Sequence, residues 1–347
     1  MKRDNEIKGF VQLGKLMTSI GKEELWNGFS TGTTEADYEK IQHIIAKQFS
    51  YNGWFTKENV LQSIGSLGEL LTEEQLTNWL ADYSYVNTPK RIGIVMAGNI
   101  PLVGFHDFLC VLLSGNIAIS KLSSDDNTLL PALAEQLIQF SPSLAERIQF
   151  SMGRMGEIDA IIATGSNNSF QYFEQYFGKY PHLFRKNRTS IAILTGNETA
   201  EELRRLGIDI FSYYGLGCRN VSHLMIPVNF DLNRFFEAII DFHPIVNHHK
   251  YANNYDYNKA VYLMNLMEIL DNHFVLLRET DELFSPLSMV HYHYYSSPDE
   301  VNEFLQKHSD SIQAIVGQEY IPFGDAQSPK LHDYADGIDV MKWIMGL

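Results

Sequence analysis

The sequence predicts a doubly wound α/β protein built of two domains that share a cleft. From Arg91 onward, short apolar runs alternate with helical patterns, the arrangement of parallel strands joined by right-handed crossovers. A second alternating unit starts near Arg188. The chain has 347 residues, 45% of them apolar and 20% charged, enough to fill two cores with an ordinary globular composition.

Residues 1–87 read as helical and peripheral. Within them, 37–49 and 72–83 carry apolar residues at helical spacing, and Thr72-Glu73-Glu74 has the chemistry of a helix start. Residues 92–96 then read as a strand, 101–114 as a helix, 116–120 as a strand and 129–140 as a helix. A weaker strand follows at 147–152 and a stronger one at 160–164. The basic stretch 180–189, with Pro181, reads as the loop between the domains, which divides the chain into 1–187 and 188–347. In the second part, 190–194 reads as a strand, 199–206 as a helix and 221–228 as a strand. Residues 258–270 look helical, 273–278 and 287–295 extended, and 298–308 helical.

A net charge of -15, from 27 basic and 42 acidic residues, argues against a nucleic-acid surface and against docking on anionic lipid. Two cysteines cannot build a disulfide framework, which points to a reducing compartment. No apolar signal-peptide core follows the N-terminus, and no run approaches the roughly 18 apolar residues of a membrane span. These features predict a soluble cytoplasmic protein.

Cys218 is the first candidate for chemistry. It sits in Tyr213-Tyr214-Gly215-Leu216-Gly217-Cys218-Arg219-Asn220, behind the apolar stretch 208–214. Two glycines let the backbone turn sharply beside the sulfur, and Arg219 could favour the thiolate that attacks carbon. A small residue in a glycine turn would look the same. Cys110, inside an apolar run, reads as a packing thiol. Gly98-Asn99-Ile100-Pro101 follows a strand, so the Asn99 amide is either a helix cap or a group at the carboxyl edge of a sheet, where α/β enzymes keep their sites. Gly165 and Ser166 repeat that placement after another strand, and Lys121 ends a third. His291 and His293 could share one face of a strand, but no carboxylate or thiol stands at ligand spacing, so they read as surface or strand histidines. Tyr255-Asp256-Tyr257 reads as a polar loop.

In order along the chain, strand–Asn-Ile-Pro–helix, strand–Lys, strand–Gly-Ser–helix and Gly-x-Gly-Cys together resemble the aldehyde dehydrogenase superfamily. Glu282-Leu283-Phe284-Ser285-Pro286 is similar to the segment that holds the nicotinamide ribose there. Within the superfamily, the chain resembles the bacterial acyl-CoA reductase family, typified by the fatty acid reductase subunit of bacterial luminescence systems. That resemblance rests on Thr195-Gly196-Asn197-Glu198, on Tyr214 to Ser222, on Lys250 to Lys259 and on Asp333-Tyr334-Ala335-Asp336-Gly337. It extends over about residues 91–344. The resemblance implies an aldehyde dehydrogenase-like fold, with a nicotinamide-cofactor domain in 1–187 and a catalytic cysteine domain in 188–347. It makes Cys218 the nucleophile, and the Asn99 amide with the Cys218 N–H the oxyanion hole. Lys121 and Ser124 would contact the adenosine ribose, Gly165 and Ser166 would lie near the nicotinamide, and Glu282 and Phe284 would hold its ribose.

Two departures from the superfamily refine the expectation. Members that prefer NAD commonly carry a Glu where Ser124 stands; a serine with Lys121 nearby accepts a 2′-phosphate, which favours NADPH. Hydrolytic members carry a Glu general base in a stretch that corresponds to Leu183-Phe184-Arg185-Lys186-Asn187-Arg188, where this chain has no acid. The expected activity is therefore NADPH-dependent reduction of a long-chain fatty acyl-CoA, or acyl-carrier thioester, to the aldehyde through a Cys218 thioacyl intermediate. A partner acyl-protein synthetase or transferase would supply acyl groups. The sequence assigns no firm role to His248 or His249, for which proton donation to the collapsing thiohemiacetal is one option. The rival readings are an oxidative aldehyde dehydrogenase, a cofactor-free acyl-transfer enzyme and a non-catalytic acyl-binding subunit. The short C-terminus leads us to expect that the superfamily's oligomerisation strand is missing.

Overall fold

Threonine side chains start three of the four helices that precede the first strand. The helices are α1 (Lys2–Gly21), α2 (Glu35–Tyr51), α3 (Lys57–Leu70) and α4 (Glu73–Leu80). Thr34, Thr56 and Thr72 each accept the backbone N–H three residues on, which satisfies a donor the helix leaves open. The computed structural model describes residues 2–26, 28, 32–165 and 167–347. These helices are not peripheral, as the sequence suggested. Phe10, Leu13, Leu16, Met17 and Ile20 of α1 are at most 1% exposed. Glycine explains the depth: a Cβ on Gly21 would lie 2.5 Å from Gly65 Cα, and one on Gly14 2.6 Å from Leu71 Cβ. The backbones of α1 and α3 therefore meet directly, and no side chain fits between them.

The first sheet follows with β1 (Arg91–Val95), α5 (Phe105–Leu113), β2 (Ile117–Lys121), α6 (Leu129–Phe140), β3 (Ile148–Ser151), β4 (Ala160–Thr164), α7 (Asn167–Phe177) and β5 (His182–Arg185). Its order is β3-β2-β1-β4-β5, and every pair is parallel. The winding reverses between β1 and β4, and the carboxyl ends on either side of that point are where α/β sheets bind ligands. β5 lies in the stretch the sequence reading took for an interdomain loop. Arg185 is its last residue, and its buried guanidinium forms a two-point ion pair with Asp107 of α5, with Nη2 to Oδ1 at 2.7 Å. Periodicity cannot reveal a basic residue whose partner is 78 positions away.

The second sheet contains β6 (Thr189–Ile193), α8 (Ala200–Phe211), β7 (Val221–Pro227), α9 (Leu232–Ala238), α10 (His249–Met264), β8 (Leu270–Asp271), β9 (Leu276–Glu279), β10 (Met289–Tyr295), α11 (Pro298–His308) and β11 (Ile312–Val316). The order is β11-β6-β7-β10-β9-β8, with only the β8–β9 pair antiparallel. Two local readings change. The helix read over 199–206 runs on through the apolar stretch to Phe211, and the 3-10 turn Ser212–Gly215 follows it. Tyr255-Asp256-Tyr257 lies inside α10, which starts at His249 rather than 258.

The chain divides into two compact units, Met1–Lys186 with Lys330–Leu347, and Asn187–Pro329. The sequence reading kept the last segment with the second part. It belongs to the first because its apolar residues are buried there: Val340, Met341 and Ile344 of α12 (Val340–Met345) join the first core, and Trp79 Nε1 donates to Tyr334 Oη at 2.9 Å.

The Arg185–Asp107 pair generates a prediction. Asp107→Leu strands a buried guanidinium and should cost about 3–5 kcal/mol, whereas Asp107→Leu combined with Arg185→Leu should recover most of that loss. All four tryptophans (Trp26, Trp54, Trp79 and Trp343) lie in the first unit, so urea unfolding followed by intrinsic fluorescence measures this unit selectively.

Candidate active site

The turn that leaves β1 is tied down at three points. Gly98 packs against the loop after β2, where a Cβ would come within 2.5 Å of Ser123 Oγ. The Pro101 carbonyl accepts from Ser63 Oγ at 2.7 Å. Leu102 has a left-handed backbone, φ 59°, and its N–H donates to Asp126 Oδ2 at 2.7 Å. Burial pushes the Asp126 carboxyl up to about 6, against the pull of that N–H. Asn99 stands exposed on the turn. The helix that follows begins at Phe105, with Gly104 as its N-cap, so Asn99 does not cap it. That removes one of the two roles the sequence left open. Asp126 was missed because Ser-Ser-Asp-Asp looks like any solvated turn; only its buried partner reveals it.

Lys121 is the last residue of β2, and its carbonyl accepts the Met96 N–H at 3.0 Å. Ser124 is exposed in the loop closed by the Ser123–Asp126 bridge. Gly165 follows β4, where a Cβ would meet Ser169 Cβ at 2.9 Å and the Phe173 ring at 3.0 Å. Asn99, Lys121, Ser124 and Gly165 thus collect along one carboxyl edge of the first sheet. Ser166 lies outside the described residues.

In the second unit, Cys218 sits between the 3-10 turn Ser212–Gly215 and β7, and is exposed. Cys110 is buried in the first core, where burial pushes its thiol well above the usual range. Tyr213, Tyr214 and Gly215 take left-handed backbones in succession, at φ 51°, 59° and 81°. Asn220 anchors this turn. Its Nδ2 donates to the carbonyls of Asp209, Ile210 and Ser212 at 3.1, 3.3 and 2.9 Å, and its Oδ1 accepts from the Gly217 N–H at 2.8 Å. Ser190 Oγ donates to the Cys218 carbonyl at 3.0 Å. Arg219 Nη1 donates to the Ala326 carbonyl at 3.3 Å, and the Gly324 and Ala326 N–H groups in turn donate to Asp209 at 2.6 and 2.9 Å. Sequence reasoning passed over Asn220, Ser190 and Asp209, although Asn220 lay within the quoted motif.

His248 caps α10, its Nδ1 accepting the Tyr251 N–H at 3.4 Å, so the neutral ring carries its hydrogen on Nε2. Its ring lies 4.2 Å from that of Tyr214. Farther on, Leu283 is buried while Glu282 and Phe284 on either side of it are exposed. The Glu282 carboxylate meets Arg278 at 3.1 Å. His291 is in β10 as expected but buried at 1% exposure, not at the surface. Among the described residues, no group of three or more His, Cys, Asp or Glu is placed to hold a metal, and no helix is long and apolar enough to cross a membrane.

Solved structures with this fold include the indole-3-acetaldehyde dehydrogenase AldA of P. syringae, in a mutant form complexed with NAD+ and IAA. The TM-score is 0.63 at 9% identity, over 91% of this chain and 72% of that one. An aldehyde dehydrogenase from Bacillus cereus in its NAD+ complex gives 0.62 at 12%, over 91% and 72%. One from Mycobacterium tuberculosis, also complexed with NAD+, gives 0.59 at 12%, over 89% and 72%. At such identities the likeness shows the fold alone, which is that of the aldehyde dehydrogenases. No curated protein matches. The family model for acyl-CoA reductase (LuxC) matches residues 33–220, more than half of the chain and a span that ends two residues beyond the exposed thiol. The chain belongs to the LuxC acyl-CoA reductase family.

Proposed function

We propose that the protein reduces long-chain fatty acyl-CoA, or an acyl-carrier thioester, to the aldehyde with NADPH, by way of an acyl group carried on Cys218. The observation that carries this reading is the exposed Cys218 on a turn fixed by Asn220 and Ser190, within the segment the family model matches. The Cys218 thiolate attacks the thioester carbonyl, and the electron pair of the C=O bond moves onto oxygen. The Asn99 amide and the Cys218 N–H stabilise that oxyanion. When the oxyanion collapses, the bond to the donor sulfur breaks, the donor leaves as its thiolate and takes a proton from water, and the acyl group remains on the Cys218 sulfur.

NADPH, when bound, supplies hydride to the acyl carbon. Lys121 and Ser124 take its adenosine ribose and 2′-phosphate, Gly165 with Ser166 the nicotinamide end, and Glu282 with Phe284 the nicotinamide ribose. The glycine edge after β4 suits this task, since a side chain at Gly165 would collide with Ser169 and Phe173. The same oxyanion donors hold the second tetrahedral oxygen until the C–S bond breaks, which releases aldehyde and returns the Cys218 thiolate. The stretch Leu183 to Arg188 offers no carboxylate to activate water; its Arg185 is committed to Asp107. The acyl-enzyme therefore persists long enough to be reduced.

Incubation with a long-chain acyl-CoA should add one acyl mass that maps to Cys218 and disappears in Cys218→Ala. Persistent acylation that maps to Cys110 would overturn the assignment. Asn99→Ala should cut turnover by about 10²–10³ while the protein stays folded, because an oxyanion donor is lost and a helix cap is not. Ser124→Glu should move relative efficiency from NADPH toward NADH by about ten- to hundredfold, through repulsion of the 2′-phosphate and the lost hydrogen bond. Steady-state kinetics with both cofactors measures it, and a native preference for NADH would contradict the role of Ser124.

A further inference from the structure

Two buried histidines converge on one backbone oxygen. His223 of β7 and His291 of β10 are register partners on parallel neighbours, so both rings project from the same face of the sheet. They are 0% and 1% exposed. His223 Nδ1 lies 3.1 Å, and His291 Nδ1 2.8 Å, from the carbonyl oxygen of Glu282. A carbonyl oxygen only accepts, so both Nδ1 atoms carry hydrogen, and together they occupy its two lone pairs. Burial pushes His223 down to about 3 and lowers His291 as well, which keeps both rings neutral donors. The Nε2 atom of each ring is buried and has no hydrogen-bond partner among the described residues.

Burying two ring nitrogens without a protein partner is costly. A position that needed only volume would be served better by leucine, as it is at many neighbouring core sites. What histidine adds here is the Nδ1–H. The two donors grip the chain one residue ahead of buried Leu283, at the point where Glu282 and Phe284 turn outward. Ser285 Oγ, donating to the Met289 carbonyl at 2.7 Å, closes the far side of the same segment.

We propose that His223 and His291 are positioning residues for the nicotinamide cofactor: they fix the backbone of Glu282 so that its carboxylate and the Phe284 ring are presented together. The proposal rests on the reading of Glu282 and Phe284 as the ribose-holding pair. Neither histidine touches the cofactor or the acyl group. Their loss acts on cofactor affinity and leaves the acylation of Cys218 untouched.

The test compares His291→Leu and His223→Leu, which keep volume and lose the donor, with His291→Asn and His223→Asn, whose amide nitrogen falls near Nδ1. NADPH affinity is read by cofactor fluorescence, together with the KM for NADPH, kcat at saturating cofactor and the rate of cofactor-free acylation. Each Leu variant should weaken NADPH binding and raise KM by about tenfold, the value of one hydrogen bond, with kcat and acylation within about twofold of the native protein. Each Asn variant should recover most of the affinity. If a Leu variant does not fold, His291→Gln, whose nitrogen falls near Nε2 instead, should show the same loss. Folded Leu variants that bind NADPH as tightly as the native protein overturn the clamp, as do Asn variants as weak as the Leu ones. Native protein that acylates Cys218 but binds no nicotinamide cofactor overturns the cofactor-site reading, and the clamp with it.

Discussion

The Asn220 side chain holds the turn on which the nucleophile depends. After α8 the chain must reverse before entering β7, and it does so through three consecutive left-handed residues, two of them tyrosines. Left-handed backbone costs a non-glycine residue roughly 1–2 kcal/mol, so the turn would relax without compensation. Asn220 supplies it by taking up carbonyls at the end of α8 and in the 3-10 turn while accepting the Gly217 N–H. One amide thus satisfies three carbonyls and one N–H in the stretch that leads into Cys218. Ser190 adds a bond to the Cys218 carbonyl itself, and the sulfur is left exposed on a rigid support.

The first unit solves a related problem with buried charge. A left-handed Leu102 and a glycine pressed against the neighbouring loop shape the turn after β1, and Asp126 pins it from below. Beneath that edge, the ion pair of Arg185 and Asp107 joins β5 to α5. Both carboxylates are buried and bonded, Asp107 to the Arg185 guanidinium and Asp126 to the Leu102 N–H. The carboxyl edge of the sheet is therefore rigid where Asn99, Lys121, Ser124 and Gly165 emerge.

Much of this architecture was legible in the chain. The bounds of β4, α6 and α11 follow from periodicity and caps, because each element carries its own apolar pattern. The exposed state of Cys218 and the burial of Cys110 follow from their neighbours: glycines around one, leucines around the other. What stayed hidden depends on distant partners. The strand at His182 to Arg185 looked like a basic loop until Asp107 was found beneath it. The depth of α1 depends on Gly65 and Leu71, which no local window contains. The helix starting at His249 was obscured by a polar and aromatic run with little amphipathic contrast. The supports of the site (Asn220, Ser190, Asp126) are ordinary polar residues whose importance lies in which buried group they satisfy.

The central claim is that an acyl group on Cys218 is reduced and not hydrolysed. It is tested most directly by isolating the acyl-enzyme, free of acyl donor, and adding NADPH that carries deuterium at the transferable position. The account predicts that the acyl mass on Cys218 disappears as fatty aldehyde appears with one deuterium on C1, and that without cofactor the acyl-enzyme persists. Release of fatty acid in place of aldehyde, or aldehyde without deuterium, would contradict it.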